Sequence, residues 1–112
     1  MAGTPFKDGP EFLAASAANI YNPSANTYAL IRHIHVANTN AAARTLSLYV
    51  GLTAGSANGT ELIEGYSIAG TETFDLYFPA GLKLVAADFL TGLSGTDATS
   101  LVITTSGELY AV

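Results

Sequence analysis

The chain has 112 residues and contains no cysteine, no tryptophan and only two histidines. Without cysteine there is no disulfide framework and no thiolate metal site. Charge is scarce as well: Asp, Glu, Lys and Arg make up 12% of the residues, where an ordinary soluble chain carries about 25%. The cations are Lys7, Arg32, Arg44 and Lys83, scattered along the sequence within a net charge of −5. Nucleic-acid binding needs clustered cations that displace counterions, so no direct nucleic-acid partner is expected. No apolar run approaches the roughly 18 residues of a membrane span, and an acidic balance discourages anionic membranes, so no membrane partner is expected either. Met1 to Pro10 has no apolar segment behind Lys7 and does not read as a signal peptide. There is no G-x-S-x-G and no P-loop. The chain is therefore read as non-enzymatic, with no catalytic residue, no cofactor and no cofactor-binding residue.

What is present is 49% apolar residues, arranged in short alternating runs between turns. One domain of this length buries roughly two thirds of its unfolded surface, enough for a core without staples. Residues 1–10 (MAGTPFKDGP) hold two Gly and two Pro and read as an extended N-terminal arm anchored by Phe6; residues 11–112 form the remaining domain. Glu11 to Tyr21 suits either a strand or, through its alanines, a helix. The turn Asn22-Pro23-Ser24-Ala25-Asn26 follows, then the strongest strand, Thr27 to Asn38 (TYALIRHIHVAN), rich in β-branched and aromatic residues. One side of it carries Tyr28, Leu30, Arg32, Ile34 and Val36, and the other Ala29, Ile31, His33 and His35. Because neither side is polar, either both are covered or a bulge between Ile31 and Ile34 shifts the alternation.

Arg44 to Leu52 sets Leu46, Leu48 and Val50 against Thr45, Ser47 and Tyr49, the pattern of a half-buried strand. Thr53 to Gly59 is a loop, and 60–65 reads equally as a helical turn or a short strand. Tyr66–Ala69 is a short strand. Thr73 to Phe78 sets Phe74, Leu76 and Phe78 against Thr73, Asp75 and Tyr77; Pro79-Ala80-Gly81 turns the chain before a strand from Leu82. Phe89–Leu93 and Ala98–Thr105 follow, with Gly107–Val112 extending the last strand past a kink. This spacing predicts an all-β, single-domain antiparallel β-sandwich or jelly-roll-like barrel. The competing α+β arrangement requires 11–21 to be helical.

His33-Ile34-His35 is the one metal-like spacing, since residues two apart on a strand share a face. A site needs a third ligand, which the sequence supplies only if an Asp or Glu joins it in space, and no metal ligand is assigned. Scarce charge favours a chain covered by neighbours. Tyrosine suits such contacts, having a large apolar face and a polar tip. Phe6, Ile31, His33, His35, Tyr49 and Tyr77 are the candidate interface residues, and a homo-oligomer is expected. His33 and His35 at such a contact would make it respond to pH.

The runs TYALIRHIHVANTNAAARTLSLYVG, GTELIEGYSIAGTETFDLYF and ATSLVITTSGELYAV resemble small structural proteins in the virions of tailed bacteriophages. The likeness spans about residues 20–110 and is one of segment order. It implies a β-sandwich assembling in many copies on a particle, as a capsid decoration protein that cements the head as a trimer. The alternatives are a neck or tail protein and a carbohydrate- or ligand-binding module. It further implies the virion as location and the major capsid protein, or other virion proteins, as partners, with the arm from Ala2 to Pro10 laid along a capsid segment.

Overall fold

The computed structural model describes residues 3–56 and 59–112; Met1 and Ala2 of the expected arm, and residues 57 and 58 of the expected 53–59 loop, lie outside the described residues. Eight strands form, β1 (Thr4–Phe12), β2 (Ala18–Tyr21), β3 (Thr27–Asn38), β4 (Arg44–Gly51), β5 (Glu61–Ile68), β6 (Thr73–Val85), β7 (Phe89–Ser94) and β8 (Leu101–Ala111). They make two four-stranded sheets, ordered β1-β8-β3-β6 and β2-β7-β4-β5, and every pairing is antiparallel. This order is that of a jelly roll, an eight-stranded double-sheet sandwich. Among the described residues there is no helix, so the α+β arrangement is set aside.

The core lies between the sheets. Ile31, Ile34 and Val36 of β3, Leu84 of β6 and Leu101 and Ile103 of β8 meet Leu46 and Leu48 of β4 and Leu90 of β7, all of them buried. The period-two alternation of β4 and β6 puts every second side chain into this layer. Each large aliphatic buried there contributes about 1.5–3 kcal/mol by leaving water. At one end Asn38, only 2% exposed, joins the two sheets. Its Nδ2 donates to the carbonyls of Ala42 and Ile68, both at 3.0 Å, and its Oδ1 accepts from the Asn40 amide at 2.9 Å.

β3 keeps its core residues inward by a bulge. The register against both neighbours shifts between Ile31 and His33, so Ala29, Ile31, Ile34 and Val36 all point inward while Arg32, His33 and His35 face out. Of the two arrangements its sequence allowed, the bulge is the one adopted. Opposite Arg32, β6 inserts Phe78 to Gly81 between the partners of Ile31 (Leu82) and His33 (Tyr77). The Pro79-Ala80-Gly81 turn is thus an insertion within one long strand rather than a break between two. Gly81 takes φ +83° there, a conformation glycine adopts without the Cβ clash. The Arg32 guanidinium occupies the insertion, donating through Nη1 to the Pro79 carbonyl at 2.9 Å and through Nε and Nη2 to the Glu108 carboxylate at 3.0–3.2 Å.

Residues 4–10 are extended as expected, but they do not project. They belong to β1, an edge strand paired along β8. Of the undecided stretch 60–65, all but residue 60 joins Tyr66–Ile68 in the single strand β5, paired with β4.

Candidate functional site

The outer face of the β1-β8-β3-β6 sheet gathers most of the chain's unusual side chains. Past the β3 bulge, His33 and His35 stand on one side of the strand, two residues apart. Registration of β6 then sets Tyr77 opposite His33 and Asp75 opposite His35, and β8 sets Ser106 and Thr104 on their other flank. Further along the same face Tyr28 and Tyr110 stack at 5.0 Å between ring centroids, with the Lys83 ammonium 4.6 Å from the Tyr28 ring centre. The Arg32–Glu108 pair lies between the two groups. The face is thus a continuous layer of rings and paired charges.

His33, His35 and Asp75 are its centre. One oxygen, Asp75 Oδ1, lies 2.7 Å from His33 Nε2 and 2.7 Å from His35 Nδ1. All three side chains are about one-third exposed. These hydrogen bonds, first that of His35 and then that of His33, hold the Asp75 carboxyl below the usual carboxylate range. The His33 ring lies flat on Tyr77, 4.5 Å between centroids and 5° between planes, which fixes the orientation of its Nε2. Chemically this is a shared-carboxylate cluster with two imidazoles, open on the solvent side. Asp75 completes it from 40 residues away. Its alternation on β6 placed it outward beside Tyr77, but only the β3–β6 register puts it opposite His35.

The six candidate interface residues separate. His33, His35 and Tyr77 come together on this face, and Tyr77 is 65% exposed. Ile31 is a correction: it is fully buried, because the bulge falls after it and leaves it on the inward row. Tyr49 is a second: it is 4% exposed, its hydroxyl donating to Glu64 Oε2 of the adjacent β5 at 2.9 Å. Burial, and then that carboxylate, push its phenol pKa up. Phe6 is half-buried on β1, stacked on Tyr21 at 5.1 Å and packed against the core, so it anchors an edge strand to its own domain.

No protein-family model matches the chain, and no curated protein matches it. Among solved structures it is similar to a pentameric capsid protein isolated from metagenomic phage sequences, with a TM-score of 0.37, 20% identity, and 93% of this chain against 66% of that one covered. A second structure described in the same words gives a TM-score of 0.36 and 19% identity, covering 93% of this chain and 59% of that one. The chain thus spans about three fifths to two thirds of the length of these neighbours.

A second surface feature lies at the β5–β6 turn. Tyr66, Ser67, Ile68, Ala69, Glu72 and Thr73 line an open cleft of about 270 Å³, with Tyr66 tilted against Phe74 at 4.5 Å. It is small beside the roughly 300–1,000 Å³ of ordinary ligand pockets.

Proposed function

We propose that this protein is a non-enzymatic structural component of a bacteriophage virion, acting as a homo-oligomer that docks on the assembled particle. The fold alone hosts many functions. The observation that carries the reading is the outer face of the β1-β8-β3-β6 sheet, where Tyr77, the stacked Tyr28 and Tyr110, and the His33–His35–Asp75 cluster form one ordered, partly apolar layer. Rings of this kind, beside imidazoles, a carboxylate and an Arg32–Glu108 pair whose charges are already matched within the chain, suit a subunit contact that desolvates without leaving charges alone. The scarcity of charge and the resemblance in segment order to tailed-phage structural proteins support the same reading. Within it, a capsid decoration protein that cements the head as a trimer is the leading role, with the major capsid protein as partner, and a neck or tail position is the alternative. Binding assembled shells rather than free subunits would stabilise the particle by mass action.

The test is the solution mass of the purified 11.5 kDa chain by light scattering across a concentration series. The expected result is a closed oligomer of trimer mass, reduced to monomer by Tyr77→Glu with the far-UV spectrum unchanged. A second reading, a carbohydrate-binding module, draws on the Tyr66-lined cleft. Tight glycan binding by a strict monomer, lost in Tyr66→Ala, would replace the structural reading.

A further inference from the structure

The geometry points to a binding site for a divalent transition-metal ion of the zinc class, formed by His33 Nε2, His35 Nδ1 and the Asp75 carboxylate on the outer face of the β1-β8-β3-β6 sheet. The inference stands independently of the virion reading. The three ligand atoms lie within 4.8 Å of one another, and the carboxylate oxygen is already the common neighbour of both ring nitrogens at 2.7 Å. A tetrahedral zinc with bonds of about 2.0–2.2 Å sets its ligand atoms roughly 3.3 Å apart. The two nitrogen–oxygen contacts therefore need to open by about 0.6 Å, and the two nitrogens, which lie within 4.8 Å of each other, to close by up to about 1.5 Å. Rotation of three partly exposed side chains supplies that movement without disturbing the strands.

Three features favour an ion over a plain hydrogen-bond cluster. The ligands sit on paired strands rather than on a loop, so the backbone fixes their spacing. The His33 ring is held flat on Tyr77 at 4.5 Å, so one ligand is oriented before any ion arrives. To ligate, each neutral imidazole shifts its N–H from the nitrogen that donates to Asp75 Oδ1 to the far ring nitrogen, which leaves the lone pair at His33 Nε2 and His35 Nδ1, and a two-nitrogen, one-carboxylate set selects zinc, nickel, copper or cobalt over magnesium and calcium, which prefer all-oxygen sites. Three protein ligands leave a fourth position open towards solvent. On an exposed face, that position is available to water or to a donor from another molecule.

The test uses the full chain in a non-coordinating buffer near pH 7.5, titrated with zinc chloride alone. Calorimetry is expected to show saturation at one ion per chain. His33→Ala, His35→Ala and Asp75→Asn should each weaken binding by about tenfold or more, a loss of the size seen even for the groups that merely support metal ligands. Magnesium and calcium should not compete. Because these are the only two histidines in the chain, their ring resonances give a second readout on the unaltered protein, and both should shift together with one equivalent of zinc. Three results would overturn the site: no saturable binding, a shift confined to one ring, or an affinity unchanged by Asp75→Asn. The last would reduce it to a bare histidine pair.

Discussion

Replacing Asn38 by alanine should loosen the end of the sandwich where the two sheets are joined. The amide makes two donations at 3.0 Å, to the carbonyls of Ala42 and Ile68, and accepts one bond at 2.9 Å from the Asn40 amide. The bond to Ile68 is buried, and leaving its acceptor unpaired costs about 1–3 kcal/mol. The other two are partly accessible, where water replaces part of what is lost, and each contributes about 0.5–1 kcal/mol. The variant should therefore lose about 2–5 kcal/mol, a large share of the 5–15 kcal/mol typical of a whole domain. At roughly 4 °C per kcal/mol for a chain of this size, the melting temperature falls by about 8–20 °C. Urea denaturation followed by far-UV circular dichroism measures it directly, with Asn19→Ala, at an exposed strand position, as the control. Asn38→Asp sharpens the test. It keeps the acceptor for Asn40 but sets a carboxylate against two carbonyls, and should be worse than alanine at neutral pH. A loss below about 0.5 kcal/mol for Asn38→Ala, the range of an ordinary surface substitution, would refute the assignment of Asn38 as the joint.

Two further expectations concern the strands around β8. At Gly107 a Cβ would collide with the backbone carbonyl of Leu30, which cannot move without opening the β3–β8 ladder, so Gly107→Ala should cost at least about 2 kcal/mol, read by the same denaturation. Glu11, though largely exposed, has its pKa raised by partial desolvation and then by Asp8, so its carboxyl favours the folded state only while protonated, a contribution present at low pH and lost as pH rises through the raised value. Glu11→Gln should therefore be more stable than the parent at pH 7, by under about 0.5 kcal/mol because the residue is exposed, with the difference vanishing towards pH 4. A melting difference that grows on acidification would show the sign to be wrong.

Much of the architecture could be read from alternation. The β4 row of Leu46, Leu48 and Val50 and the β6 row of Phe74, Leu76 and Phe78 are the rows that pack inward, and the conflict of faces within TYALIRHIHVAN located the bulge to within a few residues. What could not be read depends on partners distant in sequence. Pro79-Ala80-Gly81 is a turn by composition, yet β6 runs through it because Arg32 fills the insertion from the neighbouring strand. Tyr49 stands on the outward row of β4 and is nevertheless covered, since β5 supplies Glu64 beside it. The histidine pair was visible as a spacing. Its carboxylate was not, because only the register of β3 against β6 brings Asp75 between the two rings. The stretch 4–10 has an arm's composition, but pairing with β8 makes it part of a sheet.

The strand order has a kinetic consequence. β4 pairs with β5, β3 with β6, and β2 with β7, while β1 pairs with β8, so the pairings nest around the β4–β5 connection. Each inner pairing shortens the open chain that the next must close, and loop-closure entropy grows with that length. Assembly from the middle outward is the cheapest route, with the two chain ends meeting last. Contacts so distant in sequence make for folding on the millisecond-to-second scale, during which the core rows of β3 and β8 are exposed to other copies. A protein made in many copies at once would meet its main risk of misassembly in that interval.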